Sequence, residues 1–294
     1  MSNHEQIKLN SICIIIPYFG KWPVWMPYYW ETCRFNADIN WVFYTDCGMP
    51  EHLPSNVKVI EISYADYCQF VSRKLTIQFS PSNPYKLCDI KPLLGYLHED
   101  ELKDYDFWGF GDIDLIYGDL RAYFTQARLA KKDLFSTHAR RISGHLCLIR
   151  NTVEMRTAFK KVKGWQALIA SDQHQAFDEK AFSKVFLRHK NSPRFVRWVA
   201  GLMDPWLKKA EFIEAYSTPN AKIAWIDGTY RNPTEWVWEK GRLTNDIDGN
   251  RQFPYFHFMV WKKSWGTLSN QALTQSTIIN LDVFLITDSG FVNK

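Results

Sequence analysis

The chain has 294 residues, of which 46% are hydrophobic, so it can bury a sizeable core and is not a disordered protein. Its formal net charge of +5 is small and dispersed, which argues against nucleic acid as a partner and suits anionic substrates or an anionic surface. Its six cysteines lack the spacing of a zinc or redox site, and no apolar run is long enough for a signal peptide or a membrane span, so we expect free thiols in a soluble, cytoplasmic protein.

The predicted elements alternate between strands and helices along most of the chain. In order, they are a strand at 11–17, a helix at 25–35, strands at 40–45 and 57–62, helices at 65–79 and 86–98, a strand at 105–111, a helix at 120–130, strands at 133–137 and 145–149, helices at 151–161 and 178–189, and short strands at 221–226, 236–239 and 254–261. Such alternation predicts an α/β fold with a mostly parallel central sheet and helices on both faces, followed by a less regular C-terminal part.

The domain organisation follows from the same pattern. We expect a disordered N-terminus at 1–10 and one domain at 11–265, because no repeat or linker-like stretch divides the chain. Residues 266–294 are expected to be a C-terminal extension packed on that domain or on a partner.

The strongest functional signal is Asp112-Ile-Asp114, which directly follows the apolar strand at 105–111. Ligands of open α/β sheets bind at the carboxyl ends of strands, and Mg²⁺ and Mn²⁺ take carboxylate oxygens together with substrate phosphates. The two aspartates are therefore predicted to hold a divalent cation that bridges a diphosphate. The alternative is an acidic pair that arises by chance and binds no metal.

A second signal is His257, which lies in an aromatic segment shortly before Lys262 and Lys263. An imidazole suits Mn²⁺ as a third ligand beside two carboxylates, and the lysines can bind phosphate oxygens. The alternatives are a structural histidine and a solvated pair of lysines.

A third signal is the group Lys86, Asp89 and Lys91 at the start of a predicted helix. Helix N-termini attract phosphate, so the lysines are predicted to neutralise phosphate charge while Asp89 accepts a hydrogen bond from a base or ribose. The alternative for Asp89 is a plain helix cap.

Acidic residues at 172, 178 and 179 form a fourth group of candidates. Asp172, Asp178 or Glu179 can orient an acceptor hydroxyl or act as a base. The alternative is an acidic residue that only stabilises the dipole of a helix at its N-terminus.

The segment 197–209 mixes aromatic and basic residues. A buried helix with a charged edge is the favoured interpretation, and contact with a membrane surface is the alternative.

In this order the motifs resemble those of the GT-A glycosyltransferases, most of all retaining enzymes of the family-8 kind and their bacterial polysaccharide-synthesis relatives. The likeness spans residues 11–263 and also includes the strand ending in Pro17-Tyr18 and the segment 143–151. The chain lacks the family-8 ending His-x2-Gly-x2-Lys-Pro-Trp, so retaining and inverting outcomes both stay open.

The resemblance implies a role for each group of motif residues. It places Mn²⁺ (or Mg²⁺) on Asp112, Asp114 and His257, the donor diphosphate on Lys262 or Lys263, the nucleoside beside Pro17 and Tyr18, further donor contacts on Lys86, the sugar above Gly144 and His145, and the acceptor beside Asp178 and Glu179. The implied activity is transfer of a hexose, such as galactose, from a UDP-sugar to a glycan acceptor.

That acceptor is expected to be a lipid-linked glycan of bacterial O-antigen or capsule synthesis, reached by peripheral contact at the inner face of the membrane. Two other functions stay open from the residues alone. One is a metal-dependent phosphatase or phosphotransferase with an aspartate nucleophile; the other is a non-catalytic carbohydrate-binding protein, suggested by the 16% aromatic content. The oligomeric state is left open.

Overall fold

A computed structural model of the chain describes residues 9–265 and 281–293. Most of the predicted disordered N-terminus, 1–10, and about half of the predicted extension, 266–294, lie outside these residues. The strands are β1 Ile12–Pro17, β2 Ile39–Thr45, β3 Val57–Glu61, β4 Phe107–Gly111, β5 Leu115–Tyr117, β6 Leu134–Ser136, β7 Leu146–Arg150, β8 Ala210–Phe212, β9 Glu235–Glu239, β10 Arg242–Asn245, β11 Tyr255–His257, β12 Val283–Thr287 and β13 Gly290–Asn293. The α-helices are α1 Met26–Phe35, α2 Tyr64–Leu75, α3 Leu94–Leu97, α4 Leu120–Tyr123, α5 Gln126–Leu129, α6 Val153–Arg156, α7 Trp165–Ala170, α8 Ser183–Phe186, α9 Arg194–Met203, α10 Pro205–Lys209 and α11 Lys262–Trp265.

The central sheet has seven strands in the order β3-β2-β1-β4-β7-β6-β8. Six of them run parallel to one another, and β7 runs antiparallel to both of its neighbours, β4 and β6. This arrangement confirms the predicted α/β fold with a mostly parallel sheet. The carboxyl ends of β1, β2 and β4 lie along one edge, where ligands of such sheets bind.

Apolar cores on both faces of the sheet explain the unbroken apolar run of β1. Cys13 and Ile15 pack into one core with α2, α3 and the helices that follow β7. Ile12, Ile14 and Ile16 pack into the other core with α1, α4 and α5. Because helices cover both faces, neither face of β1 can be polar.

A second layer of aromatic residues surrounds an antiparallel sheet of order β10-β9-β12-β13. Trp236 stacks on Phe256 with ring centres 4.6 Å apart, and Trp238 stacks on Phe284 at 4.8 Å. Tyr28 of α1 stacks on Phe291 of β13 at 4.3 Å. The C-terminal part therefore packs on the first half of the chain and is more regular than the sequence predicted.

Several predicted elements differ from those in the structure. The helix at 86–98 is a 3₁₀ run, Pro84–Leu93, followed by α3, because Pro92 has no N–H to donate and its ring obstructs an α-helix. The helix at 120–130 is divided into α4 and α5, since the Thr125 side chain caps a new helix. The strand predicted at 221–226 is wrong, because this segment consists of turns and bends, and the strand at 254–261 is limited to β11.

The helices at 151–161 and 178–189 are likewise shorter than predicted. The first becomes α6 and a 3₁₀ turn, and the second becomes one π-helical turn, Asp178–Phe182, followed by α8.

Within the described ranges, no helix combines the length and apolarity needed to cross a membrane. All six cysteines are free thiols, as predicted.

Gly118 generates the first testable prediction. A Cβ at this residue would lie 2.2 Å from the carbonyl oxygen of Phe253, and the Gly118 amide donates to the Pro254 carbonyl at 2.9 Å. We expect Gly118→Ala to lower the free energy of unfolding by about 2 kcal/mol, because backbone on both sides must move. Urea denaturation measures the change.

Gly201 in α9 supplies a matched control, because a Cβ there meets nothing within 4 Å. Gly201→Ala is expected to leave stability unchanged or to raise it by up to about 1 kcal/mol through helix propensity. Equal unfolding midpoints for the two variants would contradict the close approach at Gly118.

Candidate metal and donor site

The site begins where β4 ends and the chain passes through Asp112 and Asp114 into β5. The short strand β5 pairs antiparallel with β11, and this register places His257 opposite Leu115. As a result, His257 Nε2 lies 3.4 Å from Asp114 Oδ2, and the Phe258 amide donates to the Asp114 carbonyl at 3.2 Å. A strand pairing therefore brings together two motifs that are more than a hundred residues apart in sequence.

Asp112, Asp114 and His257 present one ligand atom each within 4.8 Å of one another. Ligands of one Mg²⁺ ion lie about 2.1 Å from the metal and so at most about 4.2 Å apart, which is close to the observed spread. Two carboxylates and an imidazole also form a donor set that suits Mn²⁺ or Mg²⁺. The three side chains thus fit a divalent cation with small adjustments.

Two lysines supply positive charge to these carboxylates. Lys262 Nζ lies 2.7 Å from Asp114 Oδ2, while Lys91 forms an ion pair with Asp112 and donates to the Gly144 carbonyl at 2.8 Å. Burial disfavours the charged form of Asp114, but the charges of His257 and Lys262 lower its pKa below the ordinary value. Burial likewise opposes the charged form of Lys91, and Asp112 raises its pKa above the ordinary value.

His257 is held in place at one ring face and at both ring nitrogens. Its Nδ1 lies 3.1 Å from the Thr218 hydroxyl, and its ring stacks on His145 with centres 4.4 Å apart. Burial and the neighbouring His257 lower the pKa of His145 well below its usual value. A cation on Nε2 requires the neutral ring with its proton on Nδ1, and the Thr218 hydroxyl is placed to accept from that N–H.

A cavity of about 340 Å³ opens beside this cluster, and Asp178 and Glu179 line it together with Asp112 and His257. Asp178 is only 4% exposed, and a Cβ on Gly144 would lie 2.6 Å from its Oδ2. Burial raises the pKa of Asp178 from 3.8 to about 7, although the charge of Lys91 opposes this rise. The cavity therefore combines the acidic pair with two of the three candidate metal ligands.

The structure does not bring Lys86, Asp89 or Asp172 to the cavity. Lys86 is buried and donates to Asp89 Oδ2 and to two backbone carbonyls, each at 2.8 Å. Asp89 also accepts from the Gln175 amide at 2.7 Å, so the pair fixes the loop before Asp178. Asp172 is exposed and accepts from the Ser82 amide at 2.8 Å.

Pro17 and Tyr18 lie at the end of β1, on the Asp114 side of the cluster. The Tyr18 ring stacks on Trp22 at 5.7 Å, and its hydroxyl donates to the Lys21 carbonyl at 2.9 Å. Burial, Cys47 and Asp114 raise the pKa of Tyr18 to about 12. Lys263, in contrast to Lys262, is exposed to solvent.

Several residues that line the cavity had no sequence signal of their own. They come from the loops after β6 and β8, which lack periodicity, and they include His138, Arg141, Glu214, Tyr216, Thr218 and Trp225. Cys88 also lines the cavity, but burial raises its pKa to about 12, so its thiol stays protonated at neutral pH.

The sequence matches the model of a family of unknown function, DUF6625, over residues 14–293. No curated protein matches the chain. Solved structures with some likeness include mouse xyloside xylosyltransferase 1, with 10% identity, a TM-score of 0.39, and coverage of 91% of this chain and 99% of that one. The galactosyltransferase LgtC with donor and acceptor sugar analogs has 11% identity, a TM-score of 0.34, and coverage of 69% and 88%.

The glycosyltransferase GlyE of Streptococcus pneumoniae TIGR4 has 13% identity and a TM-score of 0.35, and the match covers 71% of this chain and 46% of GlyE. At these TM-scores the likeness carries no argument about activity. The assignment of function therefore depends on the geometry of the site itself.

The Lys86–Asp89 pair generates a prediction that separates folding from donor binding. In Asp89→Ala the ammonium of Lys86 stays buried without its carboxylate, so we expect a loss of about 3–5 kcal/mol in the free energy of unfolding. Chemical denaturation measures it. Asp172→Ala is the matched control, since it removes an exposed hydrogen bond of about 1 kcal/mol. Equal losses in both variants would contradict a structural role for the buried pair.

Asp178 generates a prediction about pH. Because folding raises its pKa to about 7, the folded chain binds the proton more tightly, and this carboxyl makes the fold less stable as the pH rises from 4 to above 7. Asp178→Asn removes the titration while keeping the shape. We expect this variant to have a higher melting temperature than the wild type at pH 8 and a similar one at pH 4, measured by calorimetry. A difference in melting temperature that does not depend on pH would contradict the raised pKa.

Proposed function

The chain belongs to DUF6625, a family of unknown function, and we propose that it is a metal-dependent glycosyltransferase of the GT-A type that transfers a hexose from a UDP-sugar to a glycan acceptor. The observation that carries this proposal is the convergence of Asp112, Asp114 and His257 within 4.8 Å beside a cavity of about 340 Å³. A site that needs both a diphosphate and a second substrate requires this combination of a cation site and an open cavity.

The positions of the two lysines support a diphosphate as the ligand. Two clustered carboxylates would repel an anionic donor, whereas Lys91 and Lys262 supply two ammonium groups at the same carboxylates. A divalent cation bound by Asp112, Asp114 and His257 would neutralise the charge that develops on the leaving nucleoside diphosphate. In this proposal the lysines bind the phosphate oxygens, and Lys262 is the donor contact rather than the exposed Lys263.

The nucleoside is proposed to lie beside Tyr18, because this ring is close enough to Asp114 for the carboxylate to contribute to the raised pKa of the Tyr18 hydroxyl. The stacked Tyr18 and Trp22 offer a flat surface of the kind that covers a base or a sugar. UDP, with glucose or galactose attached, is the donor that the sequence resemblance implies. Lys86 and Asp89 have no contact role in this proposal, since both are buried away from the cavity.

The acceptor hydroxyl is proposed to lie beside Asp178 and Glu179, because both line the cavity and Asp172 does not. If the anomeric configuration is inverted, Asp178 takes the hydroxyl proton, and a pKa of about 7 suits this exchange near neutral pH. If the configuration is retained, as the resemblance implies, the departing phosphate oxygen takes the proton and Asp178 positions the hydroxyl. The acceptor itself is proposed to be a bacterial cell-surface glycan, such as an O-antigen or capsule precursor.

Calorimetric titration of UDP with and without Mn²⁺ tests this proposal. We expect Mn²⁺ to tighten UDP binding to the wild type and the double variant Asp112→Asn, Asp114→Asn to lose at least about tenfold in affinity, because the cation can no longer bridge protein and diphosphate. Asp172→Asn is the matched control and should bind UDP as the wild type does. Release of UDP from UDP-galactose and UDP-glucose then identifies the donor sugar.

Two outcomes would contradict the transferase assignment. UDP binding that is indifferent to Mn²⁺ and to both aspartates would remove the donor site. Metal-dependent release of phosphate from p-nitrophenyl phosphate, lost in Asp112→Asn without any UDP binding, would favour a phosphatase with an aspartate nucleophile.

A further inference from the structure

Helix α9 exposes an unusual amount of apolar surface for a helix of a folded domain. Among its ten residues only Ala200 is buried. Phe195 is 71% exposed, Trp198 63%, Leu202 53% and Met203 74%. The interpretation of this segment as a buried helix is therefore wrong for α9, and these side chains face solvent with no covering element among the described residues.

The apolar side chains of α9 lie on one side of the helix. At 3.6 residues per turn, the residues 195, 196, 198, 199, 202 and 203 fall within an arc of about 160°. Arg194 and Arg197 lie outside this arc, and Ala200 borders it on the other side. This pattern is typical of an amphipathic helix that lies flat in an interface between water and an apolar phase.

The segment that leads into α9, and α9 itself, carry only positive charges. Residues 180–203 contain six lysines and arginines and no aspartate or glutamate. They are Lys180, Lys184, Arg188, Lys190, Arg194 and Arg197. A second copy of the chain meeting this surface face to face would bring like charges together, which disfavours self-association. An anionic surface is instead attracted by this positive charge.

The C-terminal end of α9 is attached to the domain by specific contacts, so the exposure of its apolar side chains is a feature of the fold. The Asp204 side chain accepts from the Trp206 amide at 2.9 Å and starts α10 directly after α9. Trp206 is buried against Phe186 of α8, with ring centres 5.4 Å apart. These contacts attach α9 to the domain through α10 while its apolar side stays uncovered.

We propose that α9 and its cationic flank bind the surface of an anionic lipid bilayer, with Phe195, Trp198 and Leu202 inserted among the lipids. Aromatic and aliphatic side chains gain free energy at the headgroup boundary, and the cations add about fivefold in affinity per residue near anionic headgroups. This proposal depends on the α9 surface alone and does not require the transferase assignment.

The segment that leads into α9 is linked to the cavity through Lys190. Lys190 lies four residues before Arg194, where α9 begins, and burial together with the charges of Arg141, Lys184 and Arg140 lowers its pKa. Arg141 itself lines the cavity beside Glu179. The cationic segment that leads into α9 therefore lies within electrostatic range of a residue at the proposed acceptor side of the cavity.

Co-sedimentation of the full chain with vesicles tests the proposal. We expect strong binding to vesicles of phosphatidylcholine with phosphatidylglycerol, at least about tenfold weaker binding to phosphatidylcholine alone, and release by high salt. The triple variant Phe195→Ser, Trp198→Ser, Leu202→Ser should lose binding to both. The double variant Arg194→Gln, Arg197→Gln should lose about fivefold per charge on anionic vesicles only.

A matched control replaces exposed apolar residues elsewhere: Met49→Ser, Val153→Ser, Tyr230→Ser, whose residues are 56%, 69% and 72% exposed. This variant should bind vesicles as the wild type does, and all variants should retain the wild-type melting temperature and UDP affinity. Failure of the wild type to bind anionic vesicles, or equal binding by the triple variant, would overturn the proposal. A dimer in analytical ultracentrifugation that the triple variant loses, without vesicle binding, would assign α9 to self-association instead.

Discussion

The antiparallel pairing of β5 with β11 is the contact on which the candidate site depends. It places His257 beside Asp114, although β5 and β11 are separated by more than a hundred residues of sequence. Gly118, just after β5, allows the backbone at Phe253 to approach closely enough for this pairing. Three ladder residues thus hold together a ligand set that no local element could supply, because β4 delivers the aspartates and the C-terminal half delivers the histidine.

The pairing of carboxylates with ammonium groups explains why a partly buried site can hold so many charged side chains. Each candidate metal-binding carboxylate has its own ammonium partner, so the cluster is close to neutral before any ligand binds. Away from these pairs, Asp178 forms no ion pair with any residue that the structure describes, and burial raises its pKa towards neutrality. The site therefore holds both permanently charged carboxylates and one that exchanges its proton near physiological pH.

The sequence predicted the central sheet well because apolar runs such as Ile12–Pro17 have only one stable location, between two layers of helices. It also identified Asp112, Asp114 and His257 as one group, since carboxylates after a strand and a nearby imidazole suit one cation.

The sequence could not distinguish the two possible roles of Lys86 and Asp89. The same residue types at the same spacing suit a buried ion pair and a phosphate-binding site. Helix lengths failed where Pro92 and Thr125 interrupt an otherwise helical pattern. Thr218 and Arg141 lie in loops, where only the folded chain reveals proximity.

The packing of β13 against α1 bears on the order in which the chain can fold during synthesis. Tyr28 stacks on Phe291 and donates to Asn293 Oδ1 at 2.9 Å, a contact between residues 265 positions apart. While a ribosome is still adding the middle of the chain, the outer side of α1 has no partner and its aromatic residues stay exposed. This contact therefore cannot form until residue 293 has left the exit tunnel, and until then the aromatic surface of α1 is open to aggregation.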